Sequence, residues 1–497
     1  MPARITASML YSLVLCPHRV ERDLFANPTE KDAPSAFVEM LWERGNAYES
    51  SVVAGLVPPP LNLRELPVEA RVEATRRAMI ARTPLIFGGR LESEDCIGEP
   101  DFLRLDGNGY FAGDIKSGRG DEGGDDDSPA QLKLHYAVQL ALYCDLLEQL
   151  GVSAARRAFI LDVEGREVCY DFAVARGPKT PETWWEAYQR LLSTARAIVA
   201  QAERTTPALV GDCKLCHWCT ACNRLVQESG DLSLIPEVGR SRRDQLARTF
   251  PDITAFAAAD LASIEAANPI AFKGLGIKQV VRWQARARLQ LATHPQPFAL
   301  RPLELPPSDH VLFFDVETDP MLDFCYLHGF WCVEAGTSRF VAFHTTDDSR
   351  NEERRIFAEA LQFVRERPQA VVVHYSPYER VTWRSLAARY PDVPGAPEAE
   401  ALMSRPHAFD LYHEAVRPST EWPTRDYSIK SIAKWLGFSW RDSHPSGAAS
   451  IEWFQRWLAS GDQADLQRIL EYNEDDCRAM EVVLNALRSL PVAASAS

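Results

Sequence analysis

The sequence predicts a multidomain α/β protein, and three observations carry that reading. Its 497 residues are enough for about three domains at roughly 150 residues each. A content of 46% hydrophobic, 10% aromatic and 25% charged residues is that of a chain with packed cores, which excludes the collagen-like, fibrous and disordered classes. Apolar runs of strand length alternate with helical segments in both halves, the pattern of sheets flanked by helices.

In the first half the pattern predicts a helix over Ser35 to Ala54, strands over Asp101 to Leu105 and Tyr110 to Ile115, and a long helix over Gln131 to Leu150. Strands at Ala158 to Val163 and Glu167 to Ala173 and a helix at Thr183 to Ala202 follow. Pro-rich or acidic stretches punctuate the chain at Val57 to Pro60, Asp121 to Pro129 and His294 to His310, the last with five prolines and the best linker of the three. Beyond it come strands near Val311 to Val316, Gly329 to Val333 and Ala370 to His374, helices near Glu352 to Glu366 and Leu466 to Leu487, and a low-complexity tail from Pro491. The expected organisation is a domain over 1–230, a helical region over 231–293, a linker over 294–310 and a second domain over 311–490.

Charge arithmetic gives 54 basic against 69 acidic residues, or −15, which argues against a surface that binds polyanions everywhere. A local basic segment remains: between Leu234 and Arg301, ten Lys or Arg face five acids. Within it, Leu234 to Gly239 followed by Arg240, Arg242 and Arg243 reads as a helix-hairpin-helix-like unit, whose Gly turn and arginines would suit phosphates. A packing unit with a solvated Arg face is the competing reading. No window reaches the ~18 unbroken apolar residues of a membrane helix, and the run Met9 to Cys16 lacks a cleavage site, so the expectation is a cytoplasmic protein without membrane contact.

The first chemical constellation is Asp101, Asp114 and Lys116. The turn Asp106-Gly107-Asn108-Gly109 would pair their strands and bring the two carboxylates together as a hard-oxygen site for Mg²⁺ or Mn²⁺. Period-two alternation puts Asp114 and Lys116 on one face. With Gln139 and Tyr143 four apart on the following helix, these residues resemble the PD-(D/E)XK nuclease core of the RecB family: Asp101 as the motif Asp, Asp114-Ile115-Lys116 as the (D/E)XK element, and Gln139 and Tyr143 as the Q-x3-Y motif. Tyr48 falls where many relatives place a metal-binding His, which leaves Glu43 or Glu49 as the upstream ligand.

The second is the cysteine set. Four of eleven cysteines crowd into 213–222, too tightly for a secreted disulfide framework. Cys213-x2-Cys216-x5-Cys222 with the early Cys16 resembles the iron-sulfur staple of AddB and of CRISPR-associated RecB-like nucleases, which implies a [4Fe-4S] cluster clamping the two ends of the domain. Four thiolates suit structural Zn²⁺ as well. The sequence offers no other obvious tie between residues 16 and 222, and gives Cys219 no role. Cys96, Cys144, Cys169, Cys325, Cys332 and Cys477 read as inert buried thiols.

The third is acidic. Asp315 and Glu317, two apart on a strand, share a face, and Tyr472 and Asp476, four apart on a helix, share another. This set resembles the DEDD exonucleases of RNase H-like fold, Tyr subtype, which implies that Asp315, Glu317 and Asp476 hold metals and that Tyr472 orients water. Glu379 stands where the family's second Asp is expected, with Asp410 as a supporting acid and Tyr427 to Ile432 as an intermediate segment. His310, His374 and His444, and the tryptophans 435, 440, 453 and 457, read as structural.

Together these resemblances specify a restriction-endonuclease-like domain, a helical middle and an RNase H-like domain, as in RecB-family nucleases that join both domain types. The implied function is hydrolysis of DNA phosphodiester bonds in repair, recombination or defence. The alternatives are a nucleic-acid-binding scaffold with decayed sites, or a 3′-5′ exonuclease on DNA or RNA using only the C-terminal site. No Gly-x4-Gly-Lys-Ser/Thr loop is present, so any unwinding would come from a separate helicase.

Overall fold

The Asp106 to Gly109 turn, with Gly107 at φ +57°, closes the expected hairpin, and Phe102 pairs with Gly113 across it. The structure, a computed structural model, describes residues 3–122, 131–177, 180–307 and 309–493. Most of the acidic run Asp121 to Pro129, and the end of the tail, lie outside these residues. The chain divides into two compact units: Met1–Pro207 with Gly211–Leu225, and Ala208–Val210 with Val226–Ser497.

In the first unit, helices α1 (Ala7–Leu15), α2 (Pro17–Phe25) and α3 (Ala36–Ala54) precede a six-stranded sheet. Its strands are β1 (Leu61–Asn62), β2 (Leu85–Phe87), β3 (Phe102–Asp106), β4 (Gly109–Ile115), β5 (Ser153–Leu161) and β6 (Glu167–Asp171), in the order β6-β5-β4-β3-β2-β1. Helix α4 (Val68–Ile80) lies between β1 and β2 in sequence, and α5 (Leu134–Gln149) makes the crossover between the parallel strands β4 and β5. Helix α6 (Trp184–Val199) and the first part of α7 (Cys219–Ser229), as far as Leu225, complete the unit. The long helix expected from Gln131 therefore starts at Leu134, because Gln131–Leu132 pairs as a strand with Asp121–Glu122.

Every residue of β4 is buried. Its Tyr110 and Ala112 join the larger core with Val138 and Leu142 of α5, whereas Phe111 and Ile115 join Phe87, Phe102 and Phe159, against which Tyr48, Val52 and Val53 of α3 pack. Alternation thus turns Asp114 to the α5 side. A Cβ at Gly113 would meet the Phe159 ring at 2.2 Å, so only glycine fits beside that ring.

The second unit opens with α8 (Arg240–Leu246), α9 (Ile253–Ala258), α10 (Leu261–Ala267) and α11 (Ile277–Leu291), built on Phe250, Phe256 and Trp283. The apolar helix expected before the Gly239 turn is only a 3-10 turn, Leu232–Leu234. Part of the basic character of this region is spent inside the fold, where Arg243 and Arg286 are buried and Arg286 and Arg282 bind Glu421; Arg242, Arg248, Lys273, Lys278, Arg288 and Arg301 stay exposed. Counting charges does not reveal such partners, because Glu421 lies 135 residues from Arg286. Nor is the Pro-rich stretch a bare connector, since its Phe298–Ala299 pairs with Thr420–Glu421.

A five-stranded sheet follows, with β7 (His310–Asp319), β8 (Phe324–Glu334), β9 (Thr337–His344), β10 (Val371–His374) and β11 (Ala408–Asp410) in the order β9-β8-β7-β10-β11. The first three pair antiparallel, and β10 and β11 extend the sheet in parallel with β7. Helices α12 (Arg350–Arg365) and α13 (Tyr378–Arg389) contribute to the core on one face with Leu312 and Phe314; α14 (Ile429–Trp435), α15 (Gly447–Ser460) and α16 (Gln463–Ser489) contribute to the other with Val311 and Phe313. Trp440, Trp453 and Trp457 belong to that second core, as expected of packing residues, whereas Trp435, the last residue of α14, is exposed. Of the thiols expected to be buried, Cys169 is exposed, because it points outward from the edge strand β6. Among the described residues no helix is long and apolar enough to cross a membrane.

Candidate active sites

In the first unit the β3–β4 hairpin brings Asp101 and Asp114 together: the Asp101 amide donates to Asp114 Oδ1 at 3.3 Å, and the Ile115 amide to Asp101 Oδ2 at 2.8 Å. Lys116 Nζ donates to Asp114 Oδ2 at 2.9 Å. Burial, with Asp114 beside it, pushes the Asp101 carboxyl up to about 7 against the pull of Lys116. Although burial works against it, Asp114 and Asp101 hold the Lys116 ammonium above its ordinary range. From α5, Tyr143 donates to the Glu99 carbonyl at 3.4 Å, and burial together with Asp114 and Asp101 keeps it a phenol. Gln139, one turn earlier, has a buried amide oxygen without a hydrogen-bond partner among the described residues.

Tyr48 is not at these carboxylates, since its hydroxyl donates to the Asp162 carbonyl. Glu49 is the upstream acid near them and Glu43 is exposed. One guanidinium that the sequence did not single out, that of Arg64, donates to Glu49 at 2.6 Å and to Asp101 at 2.7 Å. Glu49, Asp101 and Asp114 with the interleaved Arg64 and Lys116 form a charged cluster of the kind a divalent metal and a phosphate can share.

The cysteine set lies between the two ends of this unit. Cys16 separates α1 from α2, Cys213 lies within a 3-10 turn that Cys216 follows, and Cys222 is in α7. Burial pushes the Cys222 thiol up to about 12, with Arg22 opposing and Cys16, Cys216 and Cys213 reinforcing, so these four thiols sense one another. Four cysteine thiolates are, as a donor set, of the kind that a thiolate-bound cluster or Zn²⁺ takes. The two ends are also tied without it, contrary to the sequence expectation. Asp23 meets His217 at 2.7 Å and Trp218 at 3.1 Å, Arg224 meets Glu30 at 2.9 Å, and the Asp32 amide donates to the His217 carbonyl at 2.8 Å.

In the second unit, ligand atoms of Asp315, Glu317 and Asp476 all lie within 4.8 Å of one another. The first two project from β7 and the third from α16. Burial and mutual repulsion raise the Asp315 carboxyl well above its ordinary range, and burial with Asp476 pushes Glu317 up to about 8. Burial raises Asp476 too, against Lys430, Trp440 and Tyr472. A largely desolvated triad of this kind, with Glu317 buried and Asp315 and Asp476 half-buried, holds its charge best with a compensating cation, and its all-oxygen donors suit Mg²⁺ or Mn²⁺. An open cleft of about 260 Å³ exposes the three acids with Tyr472, Thr318 and Tyr378.

Tyr472 stays protonated, because burial, Asp476, Glu317 and Asp315 all disfavour the phenolate. Glu379 is outside the triad. It is buried 3.6 Å from His374 Nδ1, close enough to Asp315 to repel it. Asp410 caps the turn after β11, accepting the Tyr412 and His413 amides at 3.0 Å each. The sequence reading missed the residues that support the acids: Asn473 Nδ2 donates to Asp315 at 2.7 Å, Trp440 Nε1 to Asp476 at 2.7 Å, and Lys430 Nζ to the Tyr472 hydroxyl at 2.7 Å. Gly329, opposite Asp315 in the β7–β8 register, makes room for Asn473, whose Oδ1 would lie 1.6 Å from a Cβ there. Lys430 lies in the Tyr427 to Ile432 segment set apart in the sequence, which gives it no role, and Asn473 stands beside Tyr472 on α16, though its partner Asp315 is on a distant strand.

Residues 18–223 match the PDDEXK_1 model of the PD-(D/E)XK nuclease superfamily, and residues 312–488 match the RNase_H_2 model of the RNase H superfamily. No curated protein matches the chain. The chain therefore carries an N-terminal PD-(D/E)XK nuclease domain, a helical middle and a C-terminal RNase H-like domain.

Proposed function

We propose that the chain is a metal-dependent nuclease that hydrolyses DNA phosphodiester bonds in repair, recombination or defence, with the C-terminal site working exonucleolytically from strand ends. The observation that carries it is the triad Asp315, Glu317 and Asp476 within 4.8 Å beside a protonated Tyr472 in an open cleft. Divalent ions held by the triad would supply Lewis-acid stabilisation of charge on the phosphate oxygens. The chain's own part is to hold water in line: Tyr472 orients the water, whose oxygen bonds to phosphorus as the P–O3′ bond breaks, while the water's proton leaves to solvent and the released 3′-oxygen takes a proton from solvent. In the N-terminal site Asp101 and Asp114 would hold the ion, with Glu49 as a further ligand, and Lys116 would face the phosphate. Cys16, Cys213, Cys216 and Cys222 would hold a [4Fe-4S] cluster, and a separate helicase would supply unwound strands.

One observation favours a second reading, in which only the C-terminal site cuts. Arg64 already engages both Glu49 and Asp101, whereas the triad has no such guanidinium among its main electrostatic partners. Degradation of end-labelled linear and of circular single-stranded DNA with Mg²⁺ or Mn²⁺ tests both readings in wild type, Asp114→Ala and Asp315→Ala. Loss of end-dependent degradation in Asp315→Ala, with circle cutting lost only in Asp114→Ala, is the expected result. If Asp114→Ala cuts every substrate like wild type, the second reading replaces the first. If no protein cuts with either metal, the nuclease reading falls. For the cysteines, anaerobically purified protein is expected to show a broad visible absorbance band that vanishes in Cys216→Ala. Stoichiometric zinc without that band would assign the site to Zn²⁺.

A further inference from the structure

We propose that Lys430 is a positioning residue of the C-terminal site, acting through Tyr472; the inference rests on that site being hydrolytic. Lys430 is the second residue of α14, whose start is anchored on both sides. Ser428 caps the helix by accepting the Ser431 amide, the Tyr427 hydroxyl donates to the buried Glu421 at 2.5 Å, and the Tyr427 carbonyl accepts the Tyr375 hydroxyl at 2.5 Å. From this fixed base the ammonium reaches the Tyr472 oxygen at 2.7 Å, but stays 3.9 Å from the Asp476 carboxylate. The shorter distance decides the assignment: the directional contact is with the phenol, and the carboxylate receives only long-range attraction.

A phenol oxygen has one proton to give and two lone pairs to receive. Lys430 has no acceptor, so it must occupy a lone pair, which turns the hydroxyl proton away from the ammonium and leaves it for the side of Asp476, four residues on along α16. One lone pair is left for a water in the cleft that Tyr472 lines. Without the ammonium the hydroxyl can rotate about its C–O bond, and the water loses a fixed acceptor. Lys430 never needs to touch substrate for this, which separates it from a phosphate-binding lysine: its removal should lower kcat and leave KM unchanged.

The test uses the full chain with Asp114→Asn, which silences the N-terminal site, and 5′-labelled linear single-stranded DNA with Mn²⁺. Lys430→Met and Tyr472→Phe are each expected to lower kcat by about 10- to 100-fold with KM within about threefold, as for outer-shell partners of metal sites. The double variant is expected to be no slower than the slower single one, because both remove one unit. Calorimetry should show Lys430→Met binding Mn²⁺ at least as tightly as the parent. Unchanged kcat in Lys430→Met, losses that multiply in the double variant, or a weakened Mn²⁺ affinity would each overturn the proposal. Asp315→Asn separates the premise: if it degrades DNA as fast as the parent, the hydrolytic reading of the site fails, and the role of Lys430 with it.

Discussion

Replacing Glu421 by Gln is expected to destabilise the second unit by about 3–5 kcal/mol, the cost of leaving buried guanidinium charge without its partner. Glu421 is 1% exposed and Arg286 0% exposed, so neither can recover its hydration in the folded chain. One carboxylate oxygen accepts from Arg282; the other accepts from Arg286 Nε at 2.6 Å and the Tyr427 hydroxyl at 2.5 Å. Gln keeps the shape but removes the charge that two arginines share, and the remaining acid near Arg286, Glu237 at 2.8 Å, is also bound by Arg417. At roughly 2–4 °C per kcal/mol for a domain of this size, the melting transition should fall by about 6–20 °C. Scanning calorimetry reads it, and a fall below about 2 °C would show that the carboxylate charge carries no stability. By contrast, the exposed pair Arg354–Asp392 should contribute little to stability, because water and salt screen it. The effect reaches the active site too, because Glu421 fixes Tyr427 and Tyr427 precedes the helix that carries Lys430.

That network also marks where sequence reading stops. Local spacing was sufficient wherever the chemistry is local: Asp315 and Glu317 share a strand face because the period is two, Tyr472 and Asp476 share a helix face because four residues make about a turn, and an Asp-Gly turn closes the Asp101–Asp114 hairpin. What stayed hidden depends on contacts far along the chain. Arg64 meets Asp101 across 37 residues, Trp440 meets Asp476 across 36, and Asn473 meets Asp315 across 158. In the basic middle the same holds for Arg282 and Arg286, whose partner Glu421 lies 139 and 135 residues on, whereas most of the other basic side chains there are exposed as a solvated face would be. Gly329 is the sharpest case: nothing near it in sequence signals that a side chain 144 positions away needs its missing Cβ.

Protons and divalent cations should compete for both acidic sites, which gives the second large prediction. Folding raises Asp101 to about 7 and Glu317 to about 8, through burial first and then neighbouring carboxylates, whereas unfolded carboxyls titrate near 4. A group raised in the folded state contributes stability below its unfolded pKa and loses it as pH rises through the folded one. In EDTA these groups should therefore lower the melting temperature progressively between about pH 4 and pH 8. Mn²⁺ binds the ionised form, so its stabilisation should be small at pH 5.5 and grow towards pH 8, reaching about 4 kcal/mol at a thousandfold excess over Kd. Asp315→Asn should remove this gain from the second unit and Asp114→Asn from the first, which links each transition to its own site. A melting temperature with the same pH slope in EDTA and in Mn²⁺ would mean that neither cluster binds the ion, and would remove the chemical basis for hydrolysis at both.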